Sequence, residues 1–307
     1  TGKAAGFDSL ITLDLGGTSA DISLIDRGEP LLSMERKVEG FPARIPMMDI
    51  ATIGAGGGSI AWVDAGGALK VGPRSAGAEP GPACYGRGGE LPTVTDANAV
   101  LGRINPERIL GGRLTLNLAE ARRAIEIHIC NQTGLNLIDA ANGIIRVVNA
   151  NMVRAIRRVT VERGYDPQDF VLMTFGGAGP LHAVAVAREL GVNRVIVPAS
   201  PGTLCSLGLL VTDVKSDYVR SKVMEPNTDT LPVIIQYFQS MIDEAQATLD
   251  RESIPATQRQ LAARIEVRYR RQNYEIAIPI SLEELSEAGL GTIIERFHSA
   301  HERSYGY

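Results

Sequence analysis

The chain has 307 residues, 44% of them hydrophobic, and a formal net charge of −4. That much apolar side chain can fill the core of one large domain or of two ordinary ones. The charge gives no electrostatic basis for binding nucleic acid or an anionic membrane, and no apolar run nears the length of a membrane span.

The first patterned stretch is LITLDLGGTSADISLI, residues 10–25. Leu10, Ile11 and Leu13 read as one strand and Ile22, Leu24 and Ile25 as a second, joined by a glycine turn. Gly16 and Gly17 allow a tight bend that brings N–H groups close to a ligand, and Thr18 and Ser19 add hydroxyl donors. Asp14 and Asp21 flank the bend; carboxylates beside a phosphate-sized nest point to a divalent cation. An ordinary hairpin with solvated aspartates is the plain alternative.

A second glycine loop, TIGAGGGS (52–59), leads into a hairpin over 59–72 that turns at Ala65-Gly66-Gly67. Within it, Gly56, Gly57, Gly58 and Ser59 form either an anion nest on the substrate side or a place of close backbone packing. Residues 72–93 carry too many prolines and glycines for regular structure, and a loop of that length in a compact domain is usually functional. Arg74 in this loop meets a phosphate or braces the chain, and Cys84 is a reactive thiol or a small buried residue. Thr95 is the expected N-cap of a short helix, with Asp96 either part of that cap or a site carboxylate.

Helical spacing marks residues 117–130 and 137–164, the latter closing at Gly164. Residues 169–200 then read as strand, glycine turn, helix and strand, a βαβ unit. Beyond about residue 215 the glycine loops thin out. An amphipathic helix (231–252), a strand pair (263–280) and a further helix (282–304) follow. The division expected is 1–215 for a first domain and 216–307 for the start of a second, α+β one. Both ends read as cut from a longer chain. Cys84, Cys130 and Cys205 are widely spaced and odd in number, which suits a reducing cytoplasm, and TGKAAGFDSL lacks the charged-then-apolar order of a signal peptide.

Several chemistries lack their residues. None of the glycine turns is followed by Gly-Lys-Ser/Thr, so there is no Walker A loop. After Gly177 and Gly179 a dinucleotide fold would need a third glycine where His182 stands, and an acidic residue at the end of RVIVPAS, which has none. Of the histidines His128, His182, His298 and His301, none in the first two hundred residues pairs with a Cys or His at zinc-ligand spacing. His298 and His301, which share a helix face among charged residues, are expected to be solvated. There is no Gly-x-Ser-x-Gly elbow.

LITLDLGGTSADISLI resembles the second phosphate loop of the actin, sugar-kinase and heat-shock-chaperone ATPases, whose fold is ribonuclease H-like α/β with a mixed sheet and flanking helices. VLMTFGGAGPLHAVAVAREL (171–190) resembles that fold's adenosine loop, and VIVPASPGTLCSLGLL (195–210) its final connecting helix. The motifs IGAGGGSIAWVD, GPRSAGAEPGPACYGRGG, PTVTDANAVLGR, TVERGYDPQDF and FGGAGPLHA, in this order, are similar to the hydantoinase A/oxoprolinase family. RYRRQNYEIAIPI and HERSYGY resemble the start of that family's C-terminal region.

The resemblance implies an enzyme that uses ATP to phosphorylate the oxygen of a cyclic amide, of hydantoin or 5-oxoproline type, before water opens the ring. Ketone-carboxylating members apply the same activation to a ketone, and a non-catalytic nucleotide-gated module is the reading from another class. On this sequence it implies Asp14 and Asp21 at Mg2+ (or Mn2+), with Asp96 as a further catalytic carboxylate. Gly16, Gly17, Thr18 and Ser19 go to the phosphates, and Gly176, Gly177, Ala178 and Gly179 lie under the adenosine. Gly56–Ser59 and His182 fall on the substrate side, although a packed, hydrogen-bonded His182 is the other reading. The implied partners are an N-terminal lobe with its own Asp-x-Gly-Gly-Thr loop, which this sequence lacks, and a companion B-type subunit or domain.

Overall fold

The computed structural model describes residues 1–33, 36–38, 41–43 and 47–305. Two compact units form, Thr1–Thr212 and Asp213–Tyr307. Among the described residues no helix is long and apolar enough to cross a membrane.

The first unit is built around β1 (Leu10–Leu15), whose Ile11, Leu13 and Leu15 are fully buried. These alternate residues line one face of the strand, and on the other face Leu10 and Thr12 are buried while Asp14 is half-buried. β1 pairs antiparallel with β2 (Ala20–Asp26), which in turn pairs with the short β3 (Glu29–Pro30) and with β4 (Ile50–Ile53). On its other side β1 pairs parallel with β7 (Val171–Phe175), and β7 with β8 (Val195–Ile196). A separate hairpin joins β5 (Ser59–Val63) to β6 (Leu69–Ser75). The sheet is therefore mixed, because one tight hairpin and one helical crossover feed the same central strand.

Helices cover it. α1 (Val94–Val100) and α2 (Leu118–Ile125) pack with α3 (Leu137–Val159), which lies against β2, β4 and β6. Ile144, Val148, Met152 and Ile156 recur every fourth residue on α3, and all four are fully buried. Truncating one of the buried isoleucines to alanine costs about 2–5 kcal/mol. α3 ends earlier than expected: a 3-10 turn, Val161–Arg163, carries the chain on to Gly164 in the left-handed region. The cap of α1 is also not Thr95. Thr93 fills that place, because its Oγ accepts the Asp96 N–H while Asp96 bonds back to the Thr93 N–H, a reciprocal capping box. α4 (Gly179–Leu190) links β7 to β8 and stops at left-handed Gly191, and α5 (Leu204–Val211) follows with no buried residue.

The second unit contains α6 (Leu231–Arg251), the antiparallel pair β9 (Ala263–Val267) and β10 (Ile276–Ile280), and α7 (Glu287–Tyr305). Ile278, Ile280, Ile293 and Phe297 form its core. The solvated face expected for the two late histidines holds only for His298, which is exposed and bonds the Tyr269 hydroxyl. His301 is 2% exposed, edge-on to the Tyr269 ring and paired with Gln272 at 3.0 Å. One turn of helix separates solvent from an aromatic pocket.

Candidate functional site

Strand register puts the two aspartates together. Asp14 is paired with Asp21 across β1 and β2, Phe175 lies beyond Asp14, and Thr52 lies beyond Asp21. Directly opposed residues share a sheet face, so the row runs Phe175, Asp14, Asp21, Thr52 along one side. Like charges in that position repel, and among the described residues neither aspartate makes an ion pair. Thr52 donates a hydroxyl hydrogen bond to Asp21.

The turn that joins these strands closes through Gly16 N–H to the Ser19 carbonyl at 3.0 Å. Gly17 and Thr18 are exposed, and among the described residues their N–H groups and the Thr18 and Ser19 hydroxyls have no protein acceptor. Converging donors of this kind suit an oxyanion. No three His, Cys, Asp or Glu side chains among the described residues gather into a metal-holding group. A divalent ion at Asp14 and Asp21 would draw the rest of its shell from water and phosphate oxygens. Mg2+ does this routinely, so the donor set fits it.

Gly56–Ser59 do not form the anion nest considered above. Gly57 N–H donates to the Gly16 carbonyl at 3.0 Å and Gly58 N–H to the Gly17 carbonyl at 2.6 Å. Gly56 N–H goes to Ser59 Oγ at 2.8 Å. With those donors occupied, the loop is a brace for the first turn. The fit is close: a Cβ on Gly56 would stand 2.6 Å from the Gly17 carbonyl. Thr95, expected as a cap, instead sends both its N–H and its hydroxyl to the Gly57 carbonyl, each at 2.8 Å.

Asp96 is fully buried. One oxygen accepts Cys84 N–H at 2.7 Å; the other takes Thr93 N–H at 2.8 Å, the Thr93 hydroxyl at 2.7 Å and Ala83 N–H at 3.3 Å. A carboxylate so enclosed cannot reach a substrate. The expected reacting group is a knot that ties the 83–84 loop to α1. Burial, and then the Asp96 charge, push the neighbouring Cys84 thiol up, so Cys84 is a packed residue and not a nucleophile. Arg74 lies exposed on β6.

The third glycine turn meets the first. Gly176 has φ +80°, and a Cβ there would fall 2.4 Å from Asp14 Oδ1 and 2.4 Å from the Leu15 carbonyl. Only glycine fits beneath that carboxylate. Ala178 N–H donates to Leu15 at 3.0 Å, and a Cβ on Gly57 would sit 3.8 Å from Ala178 Cβ. Gly177 faces open space and Gly179 packs on Thr174. His182, one turn further, is fully buried, with Nδ1 2.7 Å from Asn149 Oδ1. Burial, then the Arg103 charge, lower its pKa to about 4, so it is neutral at physiological pH. Of its two readings the packed histidine is the observed one; a substrate would not reach it.

One member of the site had no sequence signal. The thiol of Cys205, 191 residues from Asp14, donates to Asp14 Oδ2 at 3.1 Å. That hydrogen bond first, then burial and the charges of Asp14 and Asp21, push its pKa up to about 11.

The model of the hydantoinase/oxoprolinase family matches residues 1–218. The chain belongs to that family. Caprolactamase subunit alpha of Pseudomonas jessenii is 39% identical over 305 residues, 98% of this chain and 44% of that protein. 5-Oxoprolinase 1 of Arabidopsis thaliana is 40% identical over 224 residues, 68% of this chain and 18% of that protein. A nucleotide-free structure of acetone carboxylase superposes with a TM-score of 0.84 at 28% identity, over 99% of this chain and 44% of that one. The crystal structure of the ATP-dependent caprolactamase gives a TM-score of 0.72 at 37% identity, over 98% and 44%. This family member spans less than half the length of each of these relatives. Its mixed α/β architecture is that of an actin-like ATPase lobe.

Proposed function

We propose that the glycine turns at 16–19 and 176–179 hold ATP, and that the enzyme containing this lobe uses it to activate a cyclic amide. The observation that carries this reading is the seat of Asp14: its carboxylate lies over Gly176 while its strand leads into the open donors of Gly17 and Thr18. Gly17 and Thr18 N–H, with the Thr18 and Ser19 hydroxyls, bind phosphate oxygens. Asp14 and Asp21 orient Mg2+ (or Mn2+) and its water. The ion, when bound, offsets charge on the transferring phosphoryl group. Gly177, open to solvent, leaves room for the adenosine between the turns.

A five-membered amide resists hydrolysis because nitrogen donation stabilises its carbonyl. In the proposed reaction the amide oxygen takes the γ-phosphoryl group and ADP leaves. Water then adds to the activated carbon, the ring C–N bond opens and phosphate is released. In this reading residues 1–215 are the ATPase lobe, and residues 216–307 begin a second domain. The enzyme works in the cytoplasm with a second nucleotide-binding lobe; it also works with a companion subunit, which the subunit names of the relatives support.

The TM-score of 0.84 with acetone carboxylase favours a second reading, in which the same activation acts on a ketone before carboxylation. A steady-state panel of cyclic amides, and of ketones with bicarbonate, decides between them when run on the full-length protein with and without ATP. Ring opening coupled to ADP release is expected. Ring opening without nucleotide would overturn the proposal.

A further inference from the structure

Both acidic residues of the sheet row have one side-chain donor, and the donors differ in kind. Asp21 receives the Thr52 hydroxyl. Asp14 receives the Cys205 thiol at 3.1 Å, and among the described residues no other hydrogen-bond donor reaches its side chain. The other oxygen of Asp14 lies over Gly176. These two contacts come from one linked piece of chain: Gly176 N–H donates to the Pro201 carbonyl at 2.9 Å, and the 3-10 turn Pro201–Thr203 runs into α5, whose second residue is Cys205.

An aspartate χ2 torsion is soft, and a carboxylate on a strand next to a like charge would otherwise swing. The thiol bond to one oxygen, with the Gly176 backbone leaving no room for a side chain beneath the other, narrows that freedom. A hydroxyl is a firm donor and a thiol a weak one. Asp21 is thus fastened by a strong donor, while Asp14 is aimed by a weak one at a single oxygen and keeps carboxylate lone pairs for a cation. We propose that Cys205 is a positioning residue: its S–H sets the orientation of the Asp14 carboxylate for the ion and phosphate received at the 16–19 turn. This rests on the nucleotide reading given above.

The test uses the full-length protein with Cys205→Ala and Cys205→Ser, measuring ATP-dependent turnover against Mg2+ concentration. Cys205→Ala raises the half-saturating Mg2+ concentration about three- to tenfold, the effect of one modest hydrogen bond, and the rate at saturating Mg2+ stays near that of the parent. Cys205→Ser, which keeps a donor, restores the curve to within about twofold. A Cys205→Ala curve that superimposes on the parent overturns the proposal, as does failure of Ser to rescue at unchanged thermal stability. Absence of ATP-dependent turnover in the parent itself would count against the nucleotide reading instead. A crystal structure of Cys205→Ala then tests the positioning directly. An Asp14 carboxylate rotated off Gly176 supports it, and an unmoved one overturns it.

Discussion

Asp14 and Asp21 stand opposite one another in the β1–β2 register, two carboxylates with no cationic side chain paired to either among the described residues. Asp14→Asn is expected to lower ATP-dependent turnover of the full-length protein by about a hundredfold or more, and to leave its melting temperature equal or higher. Steady-state kinetics and thermal unfolding measure both. Full turnover in the variant would remove Asp14 from the cation role.

The brace and the open position separate stability from binding. Gly56→Ala drives a methyl into the Gly17 backbone and should destabilise the first unit by about 1–3 kcal/mol. Gly177→Ala meets nothing within 4 Å and should change stability by less than about 0.5 kcal/mol, while weakening ATP binding if adenosine lies there. Denaturant titration and calorimetric ATP titration of the two variants give the contrast. Unaltered ATP affinity in Gly177→Ala would move the adenosine elsewhere.

Asp96 tests structure alone. Asp96→Asn replaces an acceptor of several N–H and O–H donors with a group that is half donor, and about 3 kcal/mol of stability should be lost. Turnover per folded molecule should persist below the new melting temperature. If it vanished in a fully folded variant, Asp96 would have to be returned to the chemistry.

His182 sets an acid limit. The unfolded chain takes up a proton at this residue near its ordinary value of 6.5, whereas the native chain does so only near 4. Between those values the unfolded state holds more protons, so native stability falls as pH drops from about 6.5 to about 4. Urea denaturation across that range should show a shallower decline for His182→Gln. Identical slopes would mean that other groups govern acid unfolding.

Much of the fold could be read from local pattern. The period-two hairpin at 10–25, the βαβ unit at 169–200 and the long amphipathic α3 all reappear as elements, because their signals lie within one window of chain. What escaped was contact between distant segments. Glycines at 56–58 look like a free nest until their N–H groups are found on Gly16 and Gly17. Composition around Cys205 says nothing of Asp14, since only the crossover through β7 and the 3-10 turn brings them together. Asp96 was ambiguous because a capping box and a catalytic carboxylate use the same residue types at the same spacing. His301 was misplaced because one face of α7 changes from wet to aromatic within a turn.

The double hold of Thr95 on the Gly57 carbonyl gives α1 mechanical authority over the bend at Gly16 and Gly17. Its first turn also grips the buried 83–84 segment through Asp96, so displacement of that segment travels along a stiff strut to the outermost N–H groups of the hairpin. Whatever shifts the exposed residues 86–88, which follow that segment, therefore tugs on the bend from behind.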